Sequence, residues 1–207
     1  MIYLDNSATT KPYKEVIDSF VTVSNDYFGN PSSLHQLGVQ AEKLLTKGRK
    51  QMADLLQVKP NEIFFTSGGT ESNNLAIKGA ALKYRSRGKQ IIATAVEHAS
   101  VRETLSQLEQ LGFQVTYLPV NKEGRMNIAD LEKAISRETI LVTIMHVNNE
   151  VGSIQPIEEI GRLLQKHPRI LFHVDYVQGV GKLPLDLSTI DLLSISGHKF
   201  HGLKGTG

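Results

Sequence analysis

Lys199 stands in Ser196-Gly197-His198-Lys199, just past a short apolar run. Desolvation and nearby positive charge there would lower the amine's pKa and turn it into a nucleophile or Schiff-base former. Ser196 and His198 flank it and could hold a phosphate, although a lysine in such a loop is also compatible with an ordinary surface position. Asp175 ends the apolar run Ile170-Leu171-Phe172-His173-Val174. A carboxylate at that depth is costly unless it meets a cation or hydrogen-bond donors. A protonated pyridine nitrogen would meet that need, and Gln178 could then donate to a phenolic oxygen of the same ring. A helix N-cap aspartate is the structural alternative. Ser67-Gly68-Gly69-Thr70 reads as a turn into a helix. Its glycines allow close approach, and the helix start offers free N–H groups and a positive dipole end, which suit a phosphate. A tight turn with a capping threonine explains the same residues, and the missing Gly-Lys-Ser/Thr ending argues against a nucleoside-triphosphate loop. His98 could stack on a flat ring or handle protons. Asn149 could donate across the same cleft or simply form a turn.

These residues need elements that bring them together. Apolar β-like runs at 62–66, 90–95, 114–119, 140–146, 170–175 and 192–195 alternate with amphipathic stretches at 13–27, 35–56, 70–87, 100–111, 128–135 and 157–167. That alternation predicts an α/β protein with a mostly parallel, doubly wound sheet flanked by helices. Several runs are continuous β-branched and leucine sequence, as strands covered on both faces should be. Ser100 with Glu103 reads as a capping box, Asn127 precedes another helical pattern, and Gly112 and Gly124 fall at turns. In a doubly wound sheet ligands bind at the carboxyl ends of the strands. The unusual residues sit at those ends, so one cleft should collect them.

The 207 residues are 40% hydrophobic and 21% charged with a formal net charge of +2, which suits a globular domain and gives no sign of a nucleic-acid or membrane surface. No apolar run approaches the roughly 20 residues of a membrane-spanning helix, and the start lacks the layout of a signal peptide. With no cysteine there is neither a disulfide framework nor a thiolate metal site, and a cytoplasmic location is expected.

The order of these groups closely resembles the PLP-dependent (pyridoxal 5′-phosphate) enzymes of aminotransferase class V, and within them the cysteine desulfurases of the NifS/IscS type. The resemblance is carried by Tyr3-Leu4-Asp5-Asn6-Ser7-Ala8-Thr9-Thr10, by Gly29-Asn30-Pro31-Ser32-Ser33 with His35, and by Thr66-Ser67-Gly68-Gly69-Thr70-Glu71-Ser72-Asn73-Asn74. It continues through Glu97-His98, Met145-His146-Val147-Asn148-Asn149-Glu150-Val151-Gly152, His173-Val174-Asp175 with Gln178, and Ser196-Gly197-His198-Lys199.

The resemblance implies a fold-type I large domain over residues 16–207, incomplete at its C-terminal end, preceded by an arm at 1–15 that belongs to the small domain in the family. It implies that Lys199 is the Schiff-base lysine and a proton carrier. His98 would stack on the cofactor ring and assist as acid or base, and Asp175 would pair with the pyridine nitrogen. Gln178 and Asn149 would orient cofactor and substrate, while Gly69, Thr70, Ser196 and His198 would hold the phosphate. The implied reaction takes L-cysteine to L-alanine and leaves the sulfur as a persulfide on a cysteine. A sulfur-acceptor protein of iron–sulfur assembly or tRNA thiolation would take it up, and the enzyme would be a homodimer. Family members continue past this lysine loop, and the persulfide cysteine lies in that continuation, so these 207 residues alone are expected to be inactive. A selenocysteine lyase, an aminotransferase of the same class, or a non-catalytic remnant are the alternatives. Tyr176 and Val177 depart from the small residues usual between the aspartate and glutamine, and their bulk is expected to crowd the ring.

Overall fold

The strand β3 (Thr139–Met145) is buried at all seven positions, as its sequence Thr-Ile-Leu-Val-Thr-Ile-Met requires of a strand covered on both faces. The computed structural model describes residues 1–207 and places this strand at the centre of a five-stranded, wholly parallel sheet. β1 (Gln90–Thr94) and β2 (Gln114–Leu118) lie to one side, β4 (Leu171–Asp175) and β5 (Leu192–Ser194) to the other, in the order β2-β1-β3-β4-β5. Parallel pairing requires a crossover between neighbours.

The helices are α1 (Lys14–Asp26), α2 (Gln36–Leu56), α3 (Gly69–Tyr84), α4 (Ala99–Gln110), α5 (Ile128–Ala134) and α6 (Ile157–Leu164). Side-chain alternation sends Ile91 and Ala93 to one face of β1 and Ile92 to the other, and each face has its own core. Ile77 and Ala81 of α3 pack with Val101, Leu105 and Leu108 of α4 on the first face. Leu131 of α5 and Ile157, Ile160, Leu163 and Leu164 of α6 pack with Val142, Ile144, Phe172 and Val174 on the second. The eight residues of α6 are too few for an isolated helix, so its four buried aliphatic side chains stabilise it, at about 1.5–3 kcal/mol each. The doubly wound architecture expected from the sequence is the observed one.

Two local expectations are corrected. The run 62–66 is not a strand: a 3-10 turn covers Pro60–Glu62, only Thr66 exchanges backbone hydrogen bonds with a distant segment (Gly207), and Phe64 and Phe65 are exposed. The start of α4 is not a Ser100–Glu103 box, because its N-cap is His98, whose ring accepts from the Ser100 N–H. Asn127 does cap α5, and Gly112 and Gly124 adopt the left-handed turn conformations, at φ of 85° and 75°.

Helix α1 buries no residue, and Ile17, Phe20 and Val21 stand on its surface. No helix is long and apolar enough to cross a membrane.

Candidate active site

Gly68 caps α3 with φ at 142°, a conformation open to glycine, and this turn delivers the helix start to the lysine loop. A Cβ on Gly69 would lie 3.0 Å from Val177 Cγ2 and 3.5 Å from Ser196 Cβ, so three segments meet at this point. The result is a cleft of about 400 Å³ lined without any hydrophobic residue, with Thr9, Ser67, Thr70, Ser196, His198 and Lys204 on its walls. The carboxylate of Glu71 folds back to accept from the Ser67 N–H at 2.6 Å and the Ser67 hydroxyl at 2.7 Å. Those bonds hold Glu71 below the usual carboxylate range. The first N–H groups of α3 have no helical carbonyl to reach. With the hydroxyls of Thr70 and Ser196 beside them, they form a cradle for an anion.

Asp175 lies at the carboxyl end of β4, level with Met145 on β3 and Ser194 on β5, and is 5% exposed. Its Oδ1 accepts from the Val177 N–H at 3.0 Å and its Oδ2 from Asn73 Nδ2 at 2.9 Å. Burial pushes this carboxyl up, while the two hydrogen bonds and the charges of His98 and Lys199 pull it back. The three ion pairs of the chain, Lys14–Asp18, Lys50–Asp54 and Arg125–Glu159, are all on the surface, and none reaches Asp175. A buried acid bonded by neutral donors fits the protonated nitrogen of a ring whose phosphate occupies the cradle. The residues present therefore fit PLP.

Lys199 closes the 3-10 turn Gly197–Lys199 that follows β5. Its Nζ donates to Ser7 O and, at 3.0 Å, to Ala8 O, while Gln178 Nε2 donates to the same Ser7 O at 2.8 Å. Burial and the charge of Lys182 lower the amine's pKa, and Asp175 and Asp5 act against them. The N-terminal arm is thus part of the site. Thr10 donates its N–H and its hydroxyl to His198 O, at 2.8 and 2.9 Å, and its hydroxyl accepts from the His201 N–H at 2.7 Å. Thr9 Oγ1 lies 3.0 Å from His198 Nδ1, and Tyr13 stacks on His201 with ring centroids 4.3 Å apart. Sequence reasoning assigned no role to Thr9, Thr10 or Tyr13. The paired hydroxyls of Thr9-Thr10 in an aperiodic stretch were the available signal.

The remaining positions sort as follows. His98 is exposed, caps α4 and is close enough to Asp175 for its charge to act there. Asn148 shapes the turn after β3, donating to Val96 O at 3.0 Å and accepting from the N–H groups of Glu150 and Val151. Asn149 is left half-buried beside it, with no contact to the phosphate cradle. Glu97 was read only as His98's neighbour, yet it is 2% exposed and accepts from Thr94 Oγ1 at 2.5 Å and the Met145 N–H at 3.1 Å. Burial pushes it up to about 8. Tyr176 does not crowd the cleft. It is 5% exposed, its hydroxyl donates to Leu183 O, and its ring packs 5.1 Å from His146.

The sequence matches the aminotransferase class-V family over residues 2–207. It is 56% identical to a NifS/IcsS protein homolog of Lactobacillus delbrueckii, aligning over 100% of this chain and 54% of that protein. It is 49% identical to the cysteine desulfurase IscS of Methanosarcina thermophila, over 100% of this chain and 51% of that one. Among solved structures, a NifS-like protein superposes with a TM-score of 0.96 at 42% identity, over 100% of this chain and 57% of the other. SspA in complex with cysteine superposes at 0.95 and 42% identity, over 100% and 60%. The chain spans about half the length of the curated relatives it matches. With the family matched over residues 2–207 and the fold shared with a NifS-like structure, the chain belongs to the aminotransferase class-V family, whose members depend on PLP.

Proposed function

We propose that these residues form the cofactor-holding part of a cysteine desulfurase. The observation that carries the reading is a buried acid bonded only by neutral donors, Asp175, beside an all-polar anion cradle and a lysine of lowered pKa. Support comes from relatives named cysteine desulfurase and from a similar structure described with cysteine bound.

When bound, PLP supplies an electron sink for the substrate's α-carbon. Asp175 pairs with the ring nitrogen and keeps it protonated. The start of α3 at Gly69, with Thr70, Ser196 and His198, grips the phosphate. His98 covers the ring, and Gln178 and Asn149 orient cofactor and substrate. Lys199 anchors the cofactor and moves protons at Nζ, its lowered pKa favouring the neutral amine that such transfers need.

The sulfur of L-cysteine passes to a thiol as a persulfide, and the carbon skeleton leaves as L-alanine. That thiol comes from outside these 207 residues, which hold no cysteine. A sulfur-acceptor protein of iron–sulfur assembly or tRNA thiolation then takes the sulfur, in the cytoplasm, from a homodimer. Residues 1–15 serve as an arm shared with a small domain, and 16–207 as the large domain. A chain extended to the relatives' length, given PLP, L-cysteine and a reductant, should form alanine and sulfide in equal amounts. The 207 residues alone should form neither. Turnover of a different amino acid by the extended chain, or transamination in place of sulfur release, would contradict the reading.

A further inference from the structure

A continuous chain of polar groups joins Asp175 to His98. Asn73, 1% exposed, uses one amide hydrogen on Asp175 Oδ2 and the other on Ser100 Oγ, both at 2.9 Å. The Ser100 hydroxyl lies 2.8 Å from His98 Nδ1. The sense of each bond follows from the one before it. An ionised Asp175 only accepts, so it turns the NH₂ side of Asn73 toward itself. Ser100 Oγ then accepts from Asn73, and its single hydrogen is left for His98 Nδ1. The Ser100 N–H donates to the same nitrogen at 3.1 Å. His98 Nδ1 therefore meets two donors and no acceptor. In a neutral imidazole the proton must sit on Nε2.

We propose that Asn73 and Ser100 are positioning residues that lock the neutral form of His98 as the Nε2–H tautomer, which makes Nε2 a hydrogen-bond donor rather than a proton acceptor. A proton on Nδ1 would point at two donors and undo the cap of α4. A neutral imidazole that donates can steady developing negative charge on a nearby oxygen without itself gaining a proton. In that tautomer His98 can serve as a donor at Nε2, and proton uptake falls to Lys199. The inference rests on the proposed function only for what the donor meets. The lock itself belongs to this chain's own residues.

The test is the ring ¹⁵N spectrum of the intact protein labelled at histidine, with and without PLP, with His98 assigned by its loss in His98→Gln. The expected pattern is a pyridine-type Nδ1 and a pyrrole-type Nε2. Ser100→Ala and Asn73→Ala, each checked for folding by its amide spectrum, should weaken the tautomer bias roughly fivefold, the worth of one neutral hydrogen bond. Ser100→Thr should restore it. A pyrrole-type Nδ1 in the parent protein, or a bias unchanged in both alanine variants, would overturn the inference. The expected pattern in a protein that fails to bind PLP would uphold the lock while removing the proposed function.

Discussion

Asp175 accepts two hydrogen bonds from neutral donors, so a ring cation is the interaction its charge lacks. Asp175→Ala should leave PLP weakly held and lower turnover at least about a hundredfold, since a charge-assisted hydrogen bond in a closed site is worth on the order of several kcal/mol. Absorbance titration and steady-state kinetics measure both, and near-normal activity contradicts the assignment. Glu97 makes a separate prediction about stability. Burial raises its pKa from 4.5 to about 8, so the folded protein keeps a proton that the unfolded chain releases above its own pKa. The stabilisation is complete below pH 4.5 and is lost as pH climbs to about 8, by at most about 1.4 kcal/mol per pH unit. Denaturant melts across that window should show the decline, and Glu97→Gln should flatten it. Lys199, Asp175 and the Ser67–Gly69 turn were legible in the sequence because each interrupts or follows an apolar run. The direction of Tyr176 was not. It starts a turn one residue past the end of β4, where strand alternation no longer says which way a side chain faces.

At the scale of elements, helices and central strands were legible because their signals are local: 3.6-residue periodicity on α4 and α6, β-branched and leucine-rich sequence on β3. The run 62–66 has the same local composition as a strand, but pairing is non-local, and only Thr66 finds a partner. The cap of α4 was misplaced for a related reason. Ser100 is a good capping residue, but an imidazole two positions earlier already takes its N–H. The strap between the N-terminal arm and the lysine loop joins residues about 190 apart and leaves no periodic trace. It predicts a cost. Thr10 is 3% exposed, and Thr10→Val keeps its shape and its backbone bond to His198 O while stranding the His201 N–H. Chemical denaturation should show a loss of about 1–3 kcal/mol. An unchanged midpoint would mean that the arm does not hold the loop.

Across the whole molecule, one parallel sheet gathers motifs that are scattered through the sequence. The start of α3, the loop after β5 and the N-terminal arm line one cleft, and Asn73 of α3 bonds Asp175 at the end of β4. The order of strands explains why. β3 is central, and β4 and β5 bring Asp175 and Ser194 level with Met145, so the groups that follow them emerge on one edge. That α1 carries exposed apolar side chains was not legible in the sequence, because a helix shows its periodicity whether or not anything covers it. The central claim is that this cleft holds PLP through Lys199, and trapping the cofactor by chemical reduction tests it most directly. Borohydride treatment of the PLP-loaded protein, followed by peptide mapping, should place the pyridoxyl group on Lys199, and Lys199→Ala should abolish that label. A label on another lysine, or one spread over surface lysines, would contradict the account.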